Sequence, residues 1–157
     1  MNKNISIIVL FVVILLIPID GYSLIFTYPE SLVDIHEIQL DVNVKEIGNL
    51  KRDQILNDVS IKLIQSKIKL VDKSTYILHV GVNTLEEEKI GYVIYDVTIS
   101  LFQNTLIPRN RHLVPSITWN YGSIGGIMKK SVQDIRSVIK DYLDVFIIDY
   151  LKANPPK

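Results

Sequence analysis

The chain contains no cysteine. That absence excludes disulfides, thiolate metal sites, cysteine nucleophiles and a lipidated cysteine behind the leading apolar stretch. An excess of charge is also missing, since 17 basic and 17 acidic residues leave a formal net charge of zero. A nucleic-acid binder carries a basic footprint, and none is present. Electrostatic steering toward an anionic membrane is excluded for the same reason. Long apolar spans are lacking too. The run Ile5–Ile17, broken only by Ser6, falls short of the roughly 20 residues that cross a bilayer. Ile139–Leu151 is interrupted by Lys140, Asp141, Asp144 and Asp149. No nucleophile-elbow pattern Gly-x-Ser-x-Gly occurs. The glycine-rich stretch Gly122-Ser123-Ile124-Gly125-Gly126 leads to Met128-Lys129, not to the Gly-Lys-Ser/Thr of a phosphate loop.

The amino-terminal segment carries the strongest signal that is present. Lys3 precedes the apolar run, Pro18 breaks it, and Gly21 and Ser23 supply small residues at the −3 and −1 positions of a cleavage site. This is the pattern of a secretory signal peptide over residues 1–23. Cleavage is favoured over retention as an anchor. Residues 24–157 then form one exported domain, periplasmic or extracellular, with no stable membrane insertion after cleavage. Its length suffices for a single core, which must hold the fold without disulfide staples.

Hydrophobic periodicity sets the expected elements. Ile38, Leu40, Val42 and Val44 alternate with polar residues, as in a strand with one dry face. Leu56, Val59, Leu63 and Ile64 follow helical spacing over about 50–67, with Asn49 as cap. Tyr76–Asn83, Val93–Leu101 and Leu113–Tyr121 read as further half-wet strands, the last ended by Gly122, Gly125 and Gly126. Glu86-Glu87-Glu88-Lys89 reads as a polar turn. From about Met128 the spacing becomes helical up to Pro155-Pro156. The expected fold is α+β, in the order β-α-β-β-β-α: a four-stranded, mainly antiparallel sheet with two helices packed on one face.

Thr118-Trp119 with Gly122, Asp134-Ile135-Arg136, and the ending Ala153-Asn154-Pro155 carry a resemblance. Leu50, Gln54-Ile55, Asp58-Val59 and Leu63, then Val80, Val82 and Asn83, extend it. Over roughly Ile38–Pro155 the chain resembles a family of small, uncharacterised bacterial exported proteins that bear signal peptides. Lys51 stands where that pattern has a capping Thr, and Tyr121-Gly122-Ser123 replaces a more Gly-rich turn. The resemblance implies an exported protein and supplies no active-site residues.

His36, His79 and His112 lack metal-ligand spacing, although the topology sets His36 and His112 at one end of the sheet. Glu86–Glu88 reads as a solvated hairpin tip, and Arg109 and Arg111 as a solubilising loop. Trp119 and Tyr76, Tyr95, Tyr142 and Tyr150 fall on apolar faces and read as core. The remaining feature is the wet face of the sheet. It collects Asp41, Asn43, His79, Asn83, Asp96, Thr98, Thr118 and Asn120, with Ile94 and Phe102 among them. Amides, hydroxyls and carboxylates of this kind suit hydrogen bonding to a partner.

The preferred expectation is a non-catalytic binding or assembly module of the cell envelope, needing no cofactor and no metal, whose partner is an envelope protein or polymer. A hydrolase of an envelope polymer using wet-face carboxylates or histidine is the second reading. A self-associating structural protein, a homo-oligomer, is the third.

Overall fold

Strand β1 (Glu37–Val44) shows how the alternation works: Ile38 and Val42 are buried, while Asp41 and Asn43 are exposed. The chain then turns at Ile47–Leu50, where Gly48 takes φ +54°, and enters helix α1 (Arg52–Gln65). A two-residue strand β2 (Lys69–Leu70) follows, then β3 (Ile77–Glu87), β4 (Tyr92–Leu106), β5 (Leu113–Met128) and helix α2 (Ile135–Ala153). The computed structural model describes residues 25–155, so the signal peptide and cleavage site expected over residues 1–23 lie outside the described residues. Short 3-10 turns at Pro29–Leu32 and Lys129–Asp134 complete the element order.

The strands form one sheet in the order β2-β1-β3-β4-β5. β1 runs parallel to both β2 and β3, and β3-β4 and β4-β5 are antiparallel. The register stacks the dry side chains in rows. Val42, Val80, Ile99 and Tyr121 form one row, and Leu78, Leu101 and Trp119 form the next. Ile55, Val59 and Leu63 of α1 join these rows in a single core with Ile139, Leu143 and Phe146 of α2. Burying such side chains contributes about 1.5–3 kcal/mol each, so truncating fully buried Phe146 to Ala costs about 3–5 kcal/mol. Both helices thus cover one face. They also touch each other through ion pairs, Lys62–Asp144 at 2.6 Å and Arg136–Asp58 at 2.7 Å.

The structure bears out the α+β class and the one-sided helices, and corrects four details. The sheet has five strands, because Lys69–Leu70 adds an edge to β1, and it is mixed, because β1 runs parallel to both β2 and β3. Two residues are too few for alternation to register. β3 runs through Glu86 and Glu87, and the turn falls later, at Gly91 with φ +62°. β5 runs straight through its glycines to Met128. A Cβ at Gly125 would sit 2.5 Å from the Tyr95 phenol oxygen, and one at Gly126 would overlap the Tyr92 ring. Those glycines make room for rings from the neighbouring strand, a known device of twisted sheets. Finally, α2 begins at Ile135, after a tighter 3-10 turn.

Helix α1 is capped differently from expectation. Its N-cap residue Lys51 makes no side-chain cap, and Asn49 lies in the preceding turn. Glu46 does the work instead: Oε1 accepts the Arg52 N–H at 3.0 Å, and Oε2 meets Lys51 Nζ at 3.0 Å. These two bonds hold the Glu46 carboxyl below its ordinary pKa, the backbone bond being the larger cause.

Residues 32–35 are tied to the last turn of α2. Asn154 Oδ1 accepts the Asp34 N–H at 2.9 Å, and its Nδ2 donates to the carbonyls of Leu32 at 2.8 Å and Tyr150 at 3.0 Å. Tyr150 Oη donates to the Ile35 carbonyl at 2.7 Å. The Asn of the Ala-Asn-Pro ending therefore fastens residues 32–35 to the last turn of α2.

Candidate functional site

The face opposite the helices is built by register. Asp41, His79, Ser100 and Asn120 stand side by side on β1, β3, β4 and β5. His79 Nδ1 meets Asp41 Oδ2 at 2.7 Å. The imidazole stands edge-on to Phe102, with ring centres 6.2 Å apart, and lies over Gly81, where an added Cβ would come within 3.1 Å of Nε2. Gly81 therefore gives the ring the space it occupies.

The next row is Asn43, Gly81, Thr98 and Gly122. Thr98 is flanked by two glycines, Gly81 beneath the His79 ring and Gly122 beside its own methyl group. A Cβ at Gly122 would meet the Val97 carbonyl at 2.7 Å, so the close approach of β4 requires glycine there. Beyond it, Asn83 Nδ2 donates to Asp96 Oδ2 and Thr98 Oγ1 donates to Asp96 Oδ1, both at 3.4 Å. Those contacts are long, so this part of the face keeps hydrogen-bonding capacity for another group. Past Asp96 the face becomes apolar: Leu85, Ile94, Ile124 and Met128 are all exposed.

Six of the eight residues expected on this face lie there: Asp41, Asn43, His79, Asn83, Asp96 and Thr98. Two are corrected. Asn120 shares the row but is buried, and accepts Ser100 Oγ–H at 2.6 Å. Thr118 is the extra residue of a bulge, since Leu101 pairs with Trp119 and Phe102 with Ile117. The bulge takes it out of the alternation, and its hydroxyl accepts from Gln103 Nε2. Ser100 escaped sequence reading because it is a small residue in an apolar strand. The Asp41–His79 pair escaped because only the register puts the two together.

The other candidates resolve simply. Glu86 pairs with Lys129, which raises the lysine's pKa, so the acidic run does not converge on one point. His36 and His112 are both exposed and share no hydrogen bond. Among the described residues, no three His, Asp or Glu side chains gather as a metal would require. Arg109 and Arg111 are exposed, and no carboxylate among the described residues pairs with them. Trp119 is fully buried, and Tyr121 and Tyr142 meet edge-on at 4.8 Å, so the aromatics serve the core. Burial holds the Tyr95 phenol above its usual pKa, with Tyr142 and Tyr92 adding to the shift.

With that geometry in hand, comparison with known proteins gives the following. No family model matches the chain, and no curated protein does. Two solved structures share its general course. One is the PelC dodecamer from Paraburkholderia phytofirmans, at 13% identity and a TM-score of 0.44, covering 85% of this chain and 95% of that one. The other is a minor lipoprotein from Acinetobacter baumannii, at 13% identity and a TM-score of 0.41, covering 74% of this chain and 94% of that one. Among the described residues, no helix is long and apolar enough to cross a membrane.

Proposed function

We propose that this chain is an exported, non-catalytic binding or assembly module of the bacterial cell envelope, acting in the periplasm or outside the cell. The single observation that supports this most is the open face of the sheet. Both helices pack on the other side, and the face left over carries a polar row and an apolar end. The signal pattern of residues 1–23 and the resemblance to exported proteins support the location. Asp41, His79, Asn43, Thr98, Asn83 and Asp96 are the residues assigned to the partner, an envelope protein or polymer.

One arrangement favours a hydrolase as the second reading: Asp41, His79 and Ser100 stand in line. Nucleophilic catalysis needs the serine hydrogen-bonded to the imidazole. Here Ser100 is buried and its hydroxyl donates to Asn120 Oδ1, while His79 Nε2 faces Gly81. The row suits a bound group better than a reacting one.

The test is cross-linking in living cells, followed by purification of the tagged protein and mass spectrometry. The Thr98→Lys variant puts a long cation in the middle of the open face, and Ile61→Lys alters the exposed side of α1. One reproducible partner, lost with Thr98→Lys and kept with Ile61→Lys, is the expected result. Loss with Ile61→Lys alone would move the site to the helices. Turnover of an envelope polymer that His79→Ala abolishes would install the hydrolase instead.

A further inference from the structure

Leu40 departs from the burial pattern of β1. Its neighbours on the dry face, Ile38 and Val42, are buried, but Leu40 is only half-buried, as are Leu56 of α1 and Leu70 of β2. The cause is the brevity of β2. It pairs with Glu37 and Ile38 alone, and the chain leaves the sheet once the Val71 N–H has bonded the Ile38 carbonyl at 3.0 Å. An open cleft of about 300 Å³ follows, with Leu40, Leu56, Ser60, Leu70 and Asp72 in its walls. That volume is at the small end of the range for ligand pockets. The chain enters the described fold far from here, since Phe26 bridges β5 at the opposite edge of the sheet.

The polar groups around the cleft have a direction. Gln39 and Lys45 turn their N–H groups to β3, where they bond the Tyr76 and Val82 carbonyls. Strand alternation then turns the Leu40 C=O and the Val42 N–H toward the open margin. Among the described residues, no backbone group bonds either of them from that side. Arg52 closes one end. Its Nε donates to the Val42 carbonyl at 2.8 Å, and its NH1 is only loosely held, 3.6 Å from Asp53 Oδ1. Arg52, Leu56 and Ser60 are four residues apart, so one stripe of α1 runs along the cleft. Asp72 stands at the other end, exposed, and no cation among the described residues pairs with it.

We propose that this cleft binds a short zwitterionic peptide of one or two residues. Its α-amino group meets Asp72 and donates to the Leu40 carbonyl. Its α-carboxylate accepts the Val42 N–H beside the Arg52 guanidinium, the pairing for which that group is suited. An apolar side chain then covers the half-buried Leu56 and Leu70. Two features select this ligand over a longer strand. The free stretch of edge is blocked on both sides, by Val71 on Ile38 and by Arg52 on Val42. The charges at its ends are also of opposite sign, as the two termini of a free peptide require. The site is separate from the row of Asp41 and His79, and it stands whether or not the open face binds a partner.

The experiment is an amide NMR titration of the protein, purified from the producing cells, with the dipeptide alanyl-leucine. The N-acetyl and the C-terminal amide forms of that dipeptide each lack one charged end. Ser60→Trp fills the cleft, and Asp72→Asn removes the partner of the amine at an exposed position, where the fold does not depend on it. The spectra themselves show that each variant folds. The expected result is a saturable shift at Leu40, Val42 and Asp72 at millimolar concentration. Binding should weaken about tenfold or more with either blocked dipeptide and with Asp72→Asn, and vanish with Ser60→Trp. Thr98→Lys, on the open face, should leave it unchanged. No saturable shift, equal binding of the blocked forms, shifts centred away from the cleft, or indifference to both variants would each overturn the proposal.

Discussion

Trp119 Nε1 donates to Asp149 Oδ2 at 3.1 Å, joining the middle of β5 to α2. Trp119 is wholly buried, and its ring meets Phe146 edge-on at 5.1 Å. Asp149 is only 9% exposed, with Lys152 Nζ 4.0 Å from its other oxygen. A buried indole N–H and a buried carboxylate satisfy each other, which fixes the helix along the strand.

Removing the donor should therefore cost more than removing the charge. Trp119→Phe leaves Asp149 Oδ2 without its donor and lowers stability by about 1–3 kcal/mol before any loss of packing is counted. Asp149→Asn keeps an acceptor and costs under about 1 kcal/mol. Urea unfolding of both variants measures the difference, and equal midpoints would refute the argument.

Glu46 predicts an acid-sensitive helix start. Its folded pKa is depressed, so its contribution is fully present above the unfolded value near 4.5 and is lost as pH falls through the folded value. Glu46→Gln should remove that part of the pH dependence and leave the rest of the melting curve's acid limb. Thermal melting of both proteins from neutral to strongly acidic pH reads it directly.

Gly126 and Tyr92 predict a coupled pair. Gly126→Ala forces the Tyr92 ring aside and costs about 1–3 kcal/mol, while the same change in a Tyr92→Ala background costs markedly less. A double-mutant cycle that sums to zero would show that the ring does not need the bare backbone.

Asn154 predicts a long-range effect from an exposed-looking tail. Asn154→Ala removes three hydrogen bonds and should lower stability by about 1–3 kcal/mol, with faster amide exchange at Asp34. Asn154→Asp keeps the acceptor and should protect Asp34 while losing the bond to Leu32.

Much of this fold was legible in the sequence because the strands obey a strict two-residue period and each helix shows one apolar stripe. What escaped was set by partners distant in sequence. Gly125 and Gly126 read as breakers, and only Tyr95 and Tyr92 on the next strand show why they belong inside β5. Thr118 was placed by counting twos, and one bulge defeated the count. Glu46 caps a helix it precedes by six residues, beyond the reach of local capping rules. On the open face the residues were readable, but the 2.7 Å Asp41–His79 contact needed the parallel register of β1 and β3.

The fastening of residues 32–35 by Asn154 and Tyr150 bears on the order in which the chain is made. The Asp34–Asn154 and Ile35–Tyr150 bonds span 120 and 115 residues. Residues 32–35 cannot take their final place until α2 has been made. Contacts so remote in sequence slow folding, so this fastening is among the last parts of the described fold to close.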